Sequence, residues 1–353
     1  MSPDDIEFGL NSFGEVATEN GRELTEAETV RLVIEEAELA ESVGVDSFSV
    51  GEHYRPGFVD SAGLVLLAAI AGRTSRIRLG TSVTVLSTQD PVRLYNQAAT
   101  LDAASRGRAQ LIVGRASSVE SFPLFGYDLA EYETLFEEKL DLFVRLLRDQ
   151  PVTWSGTVRS SLTEQIVTPA IEPGAIPTWV GVGGSPQSVL RAANYGLPLM
   201  LAIIGGQPGR FAPYTDLYRR ALTELGLPEL PIGEHSLGLL APTDEEAREV
   251  HWPLWRQVME TIGAERGFLP PTPERYRADT TAGALFVGAP ETVARRIADA
   301  IQVLGLSRFD LKYDLMRQPR EIRARTIELY GTRVIPRVRE LLSENLASAV
   351  SGD

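Results

Sequence analysis

Three short stretches hold residue types that can do chemistry. Gly183-Gly184-Ser185-Pro186-Gln187-Ser188 follows an apolar run and precedes a helix-like one. Its glycines let the backbone approach a ligand closely. The first N–H groups of the following helix, with the Ser185 and Ser188 hydroxyls, are donors for an anion. The same six residues also read as a plain strand-to-helix turn. Arg115 ends a second apolar run, Leu111-Ile112-Val113-Gly114. A guanidinium there either completes the charge balance of a phosphate or makes a surface salt bridge. His53 follows a third run and is flanked by Glu52 and Tyr54. Near neutral pH an imidazole can act as acid or base, or hold a reactive oxygen by hydrogen bonding. The other reading is a satisfied structural histidine.

Other chemistries are excluded. The chain has no cysteine, so thiol catalysis, disulfides and cysteine metal sites are absent. The histidines, His53, His235 and His251, share no short ligand spacing, so no metal is expected. No GxxxxGK[ST] motif is present, which argues against a nucleotide triphosphatase. The formal net charge is −14, and an acidic surface repels nucleic acid and anionic membranes. No apolar run approaches the roughly 20 residues that span a bilayer. Asp4, Asp5 and Glu7 stand where a signal peptide would carry positive charge, so a cytoplasmic protein is expected.

The elements that position these residues alternate. Arg76–Arg115 reads as strand, loop, helix, strand, with Asp90 capping the helix and Pro91 at its first position. Strands are expected at 6–10, 45–50, 77–83, 111–113, 178–182, 199–204, 236–240 and 309–313. Helices lie between them, the first opened by a Thr25/Glu28 capping box. Eight strands in alternation predict a (β/α)8 TIM barrel over residues 1–342, an α/β fold, with 343–353 a flexible tail. An open doubly wound sheet is the alternative, disfavoured because no GxGxxG follows the first strand. Two segments break the rhythm, 150–177 as a hairpin and 265–282 as a Pro-rich excursion. Both are expected as insertions over the C-terminal mouth. In such barrels chemistry sits at the C-terminal strand ends, where His53, Ser82, Arg115 and Gly183 all fall.

Over nearly its full length the chain resembles the bacterial luciferase-like, flavin-dependent monooxygenase family. The matching pieces are SVGVDSFSVGEHY, RIRLGTSVTVLSTQDPVRLYNQAATLDAASRGRAQLIVGR, ESFPLFGYDLAEYETLFEEKLDLFVRLL, PVTWSG, WVGVGGSPQSVLRAANYGLPLMLAIIGG and GALFVGAPETVARRIADAIQVLGLSRFDL. It looks closest to the FMN-using members without the light-emitting specialisation.

The resemblance implies FMN at the mouth of the barrel. Its phosphate would lie against Arg115, Gly183, Gly184, Ser185 and Ser188. Ser82 would lie beside the isoalloxazine ring, and Ser82-Val83 would be the place of a cis peptide bond. His53 matches a histidine linked to the reaction of reduced flavin with oxygen and aldehyde. Two positions depart from the family: Gly114 stands where the luciferase has a reactive cysteine, and Arg115-Ala116 replaces an Arg-Gly pair.

The implied activity is that of a monooxygenase using reduced FMN and O2 on a small hydrophobic carbonyl substrate, as a homodimer, with or without a partner flavin reductase. An F420-dependent hydride-transfer enzyme, a non-catalytic flavin-binding protein and an unrelated sugar-phosphate hydrolase remain alternatives.

Overall fold

Apolar β-branched runs that are each followed by a returning helix can pair only in parallel. The computed structural model, which describes residues 2–115, 119–172, 174–265 and 267–350, has that arrangement. Strands β1 (Glu7–Ser12), β2 (Ser47–Val50), β3 (Arg78–Val85), β4 (Ala109–Gly114), β5 (Thr178–Val182), β6 (Leu199–Ala202) and β7 (Ile232–Leu240) pair in sequence order. A short β8 (Leu285–Gly288) pairs with the second half of β7 and stays outside the ring. β9 (Arg308–Lys312) closes the barrel between β7 and β1. The register sets Leu10 beside Phe48 on one side and Leu311 on the other.

The longer helices are α1 (Glu26–Ser42), α2 (Gly63–Ala71), α3 (Pro91–Ser105), α4 (Tyr132–Arg148), α5 (Pro186–Asn194), α6 (Ala212–Glu224), α7 (Asp244–Val258), α8 (Pro273–Ala282), α9 (Pro290–Leu304), α10 (Arg320–Leu329) and α11 (Ile335–Val350). The expected caps form. Thr25 and Glu28 exchange hydrogen bonds of 2.8 and 3.2 Å. Asp90 accepts from the backbone N–H groups of Val92 and Arg93, each at 3.0 Å. Most of the core lies between strands and helices, where Phe8, Phe48, Leu79, Leu111, Val180 and Phe309 are fully buried. The barrel floor is ionic. Buried Arg308 binds Asp310 at 2.7 Å and Gln110 at 2.9 Å. Gly9 makes room for this pair, since a Cβ there would stand 2.3 Å from Asp310 Oδ1.

Four expectations need correction. β7 begins at Ile232, not 236. Pro231, Gly233 and the polar Glu234-His235 imitate a loop in the sequence, but Gly233, Glu234 and His235 are buried in the barrel. The 150–177 hairpin does form, from Val152–Trp154 and Leu162–Gln165. It lies against α4 and the start of α3, through Trp154 Nε1 to Asp141 at 2.8 Å and Arg159 to Asp90 at 3.1 Å. None of its described residues lines the mouth cavities described below. The Pro-rich excursion contains α8, capped by Thr272, which accepts from Arg275 N. The last helix runs on to Val350, past the expected tail start, because no glycine or proline stands between Ser343 and Gly352. Residues 351–353 lie outside the described residues, as does Ala116.

Among the described residues, no helix is long and apolar enough to cross a membrane.

Candidate active site

The C-terminal ends of β1 to β7 surround a cavity of about 300 Å³. His53, Ser82, Arg115, Gly183 and Ser188 all line it. Its two ends are chemically different.

One end is a cationic corner. Gly184 has φ of +109°, so the chain leaves β5 in a turn that few side-chain-bearing residues accept. The Gly184 carbonyl accepts from the Tyr214 hydroxyl at 2.7 Å, which fixes the turn. Ser185 then caps α5: its Oγ accepts from Ser188 N at 3.2 Å and donates to Ser188 Oγ at 2.8 Å. Gly184 and Ser185 therefore stand behind the lining, whereas Gly183 and Ser188 face the cavity. A Cβ at Gly183 would meet no neighbour, so the glycine keeps open a cradle that a side chain would fill.

Two guanidinium groups converge on the Ser188 hydroxyl, Arg115 at 3.0 Å and Arg191 at 3.5 Å. Both also bind Glu133, Arg191 at 3.1 Å, and Arg191 holds Glu137 as well. Glu133 is the most exposed of the four, with 61% of its side-chain area accessible against 23% for Arg115 and 12% for Arg191. A surface carboxylate thus rests on two cations, Arg115 in the cavity wall and Arg191 against the Ser188 hydroxyl. With the N-terminus of α5, this donor set fits a phosphate monoester.

The other end is aromatic and enclosed. His53 lies between Phe13 and Phe58, with ring centroids 4.6 and 4.8 Å away. Asp60 fixes it twice, accepting from His53 N at 3.0 Å and pairing with Nδ1 at 2.8 Å. With Nδ1 taken up, Nε2 is the nitrogen available to a ligand. Burial pushes the Asp60 carboxyl up to about 6, although the contacts with His53 pull the other way. Glu52, beside His53, has a different task. It accepts from Val85 N at 3.0 Å, from Gln89 at 2.9 Å and from the Tyr54 hydroxyl at 2.5 Å, and so ties the loop after β3 to the loop after β2.

Between the two ends lies the wall made by Ser82 and Val83, whose peptide bond is cis, as the resemblance implied. Val83 is wedged between two glycines. A Cβ at Gly114 would lie 3.0 Å from Val83 Cγ2, and one at Gly181 2.9 Å from Cγ1. Gly114 is thus matched here to the bulk of Val83. Ser82 Oγ lies 3.4 Å from His235 Nδ1. Burial, with Lys312 and Arg308 nearby, pushes His235 down to about 4, so it is neutral at physiological pH. Beneath it lies a buried ionic knot of Lys312, Glu15 and Asp314, in which Ser12 donates to Asp314 at 2.8 Å. Met200, Ala202 and Ile204 complete an apolar face.

The sequence missed Arg191, Asp60 and His235 as site residues. Arg191 had a signal, because it follows Ser188 by three residues and shares its helix face. Asp60 reaches His53 around an irregular loop, and His235 meets Ser82 across 153 residues. No spacing rule finds either pair. Among the described residues, no three His, Asp or Glu side chains gather as a metal site.

Comparison with known proteins identifies the family and the fold. The family model described as luciferase-like monooxygenase matches residues 6–308. The uncharacterized protein y4vJ of Sinorhizobium fredii is 25% identical over 346 residues, covering 94% of this chain and 98% of that one. Among solved structures, monooxygenase RslO1 from Streptomyces bottropensis superposes with a TM-score of 0.81 at 24% identity, over 94% of this chain and 99% of that one. The oxygenating constituent of 3,6-diketocamphane monooxygenase of Pseudomonas putida, in complex with FMN, gives 0.74 at 20% identity over 94% and 98%. An F420-dependent secondary alcohol dehydrogenase gives 0.71 at 19% identity over 96% and 99%. These structural likenesses establish the (β/α)8 fold, which proteins using either cofactor share. With its family model matched across most of its length, the chain belongs to the luciferase-like monooxygenase family.

Proposed function

We propose that the protein is an FMN-dependent monooxygenase acting on a small, hydrophobic carbonyl compound. One observation carries the reading: a cationic corner and a buried His53–Asp60 pair face each other across a single apolar-walled cavity. Arg115, Arg191, Ser188 and the start of α5 would hold the phosphate, and the Ser82-Val83 wall would support the ring system. A reduced flavin bound there supplies the electrons with which O2 is activated. The protein's own part is positional and protective. Phe13, Val83, Met200 and Ile204 keep water from the reacting atoms. Asp60 fixes the His53 ring so that Nε2 can donate or accept a proton at the oxygen being transferred. His235 stays neutral and orients the Ser82 hydroxyl. Reduced flavin would come from a separate reductase or from reduction in place by NAD(P)H. The proposal extends to a cytoplasmic homodimer, which sedimentation and cell fractionation would test.

The deciding experiment is a titration with FMN and with F420, each oxidised and reduced, followed by stopped-flow absorbance under oxygen. Preferred binding of reduced FMN, with an oxygen-dependent transient before reoxidation, is the expected result. Preference for F420 with no response to oxygen would move the protein to hydride transfer. Oxygen-inert FMN binding would leave a flavin carrier, and binding of neither would return the site to sugar phosphates.

A further inference from the structure

A second chamber, also of about 300 Å³, opens off the first. The two share Gly183, Ala202 and Ile204. Its walls are Phe211, Trp255, Met259, Phe268 and Tyr276, contributed by the turn before α6, by α7 and its continuation, and by the segment around α8. A narrower lobe of about 90 Å³ runs behind Trp255, Met259 and Phe268 to His53 and His235. The chamber therefore adjoins the proposed flavin cavity, and the lobe behind its wall adjoins the proposed acid–base group.

Its surface chemistry is specific. The one polar atom of Tyr276 is turned to His251, whose Nδ1 lies 3.0 Å from the hydroxyl. The tyrosine thus offers the chamber its ring and not its oxygen. Burial holds His251 down at about 3, so this contact does not change with pH in the working range. At the rim stands Arg275, with about half of its side chain exposed. Its contacts are long: 3.5 Å to the Leu269 carbonyl and 4.0 Å to Asp279. Its donors can turn to an incoming oxygen. Phe268 is 42% and Leu269 71% exposed, large apolar side chains that a seated ligand would cover.

We infer that this chamber binds a flat aromatic ketone or aldehyde carrying an oxygen substituent at the end remote from the reacting carbonyl, the rings held against Trp255, Phe268 and Tyr276 and the remote oxygen at Arg275. The inference rests on the proposed function only for which end reacts. Flat rings gain stacked and edge contacts from such walls and lose no internal rotamer freedom. A flexible aliphatic chain gains less and must be ordered.

The test is calorimetry on the flavin-free protein with 2-acetonaphthone, 6-hydroxy-2-acetonaphthone and 2-decanone. The naphthyl ketone should bind about tenfold more tightly than 2-decanone, and the hydroxyl should add a further gain of several-fold. Phe268→Ala, at an exposed position that the fold tolerates, should weaken both naphthyl ligands by about tenfold. Arg275→Met should erase only the gain from the hydroxyl. Equal or tighter 2-decanone binding, naphthyl binding indifferent to Phe268→Ala, or no binding of any of the three would overturn the inference. An FMN titration of the same samples reports separately on the flavin proposal, so failure of either reading is visible without the other.

Discussion

The two ends of the mouth cavity solve opposite problems. The cationic corner sits near the surface and is built mostly from one stretch of chain, Gly183 to Arg191, plus Arg115. Its charges are partly exposed, and Glu133 and Glu137 already compensate them. The His53 end is deep, aromatic and assembled from remote pieces, with Asp60 and His235 almost fully buried. The first arrangement suits a ligand that arrives and leaves with its own charge, because the arginines exchange one anion for another. The second suits a step that must stay dry and oriented, because burial fixes the partners of both imidazoles and keeps His235 neutral.

The largest effect should come from emptying the cationic corner. Arg115→Met with Arg191→Met removes both guanidinium groups while keeping much of their apolar stems. Each charge-assisted hydrogen bond contributes about 1.5–3 kcal/mol, so FMN affinity should fall by on the order of 100-fold. Riboflavin, which lacks the phosphate, should bind the variant as it binds the wild type. Equal losses for both ligands would place the phosphate elsewhere.

At the buried end the corresponding change is Asp60→Asn. The amide still fills the space but cannot supply the negative charge that fixes Nδ1–H. Turnover should fall by about 10- to 100-fold with FMN affinity unchanged. The pH profile separates this from simple damage. Asp60 must be ionised to hold His53, and its carboxyl is raised to about 6. Wild-type turnover should therefore drop as pH falls through about 6, since protonation removes the acceptor charge. The Asn variant should lack that limb while remaining slow throughout.

The contrast between the ends also explains what could be read in advance. The corner was legible because its logic is local: two glycines, a capping serine and a second serine in six residues read either as donors for an anion or as a plain strand-to-helix turn, and both readings place the same turn. The barrel was legible for the same kind of reason, since strand and helix periods alternate along the chain. His53 could be named because it ends a strand. Its setting could not, because Asp60, Phe13 and His235 come to it through loop geometry and barrel closure. His235 was further hidden by its own strand, whose buried polar residues resemble a turn. The 150–177 hairpin shows the converse limit. Its pairing was readable from turn residues, but its place was not, because Trp154 finds its partner, Asp141, on the outer face of α4.

A smaller change should sharpen the account of the corner. If Glu133 holds the place of the phosphate, Glu133→Gln should tighten FMN rather than weaken it. The carboxylate is exposed and screened, so the gain should be about two- to fivefold. It should shrink as salt rises, since screening already weakens the competing pair in the wild type. An unchanged or weaker affinity would mean that Glu133 shapes the arginines and does not compete with the ligand.

The least change tests whether the ends are coupled at all. Val83 packs against Gly114, which precedes Arg115, and against Gly181, which precedes the Gly183-Gly184 turn. It also follows Ser82, which touches His235. Gly114→Ala would put a methyl 3.0 Å from Val83 Cγ2, so either Val83 or β4 must yield by a few tenths of an ångström. Overpacking of that size costs about 1 kcal/mol, visible as a modest fall in the unfolding midpoint. The informative partner is Gly114→Ala with Val83→Ala, which removes the opposing methyls. If the wedge alone is responsible, the double variant should lose less than the two single changes added together. FMN affinity and turnover should recover along with stability. Stability that recovers while turnover does not would mean that the Val83 side chain itself, and not merely the space it fills, joins the phosphate corner to the histidine end.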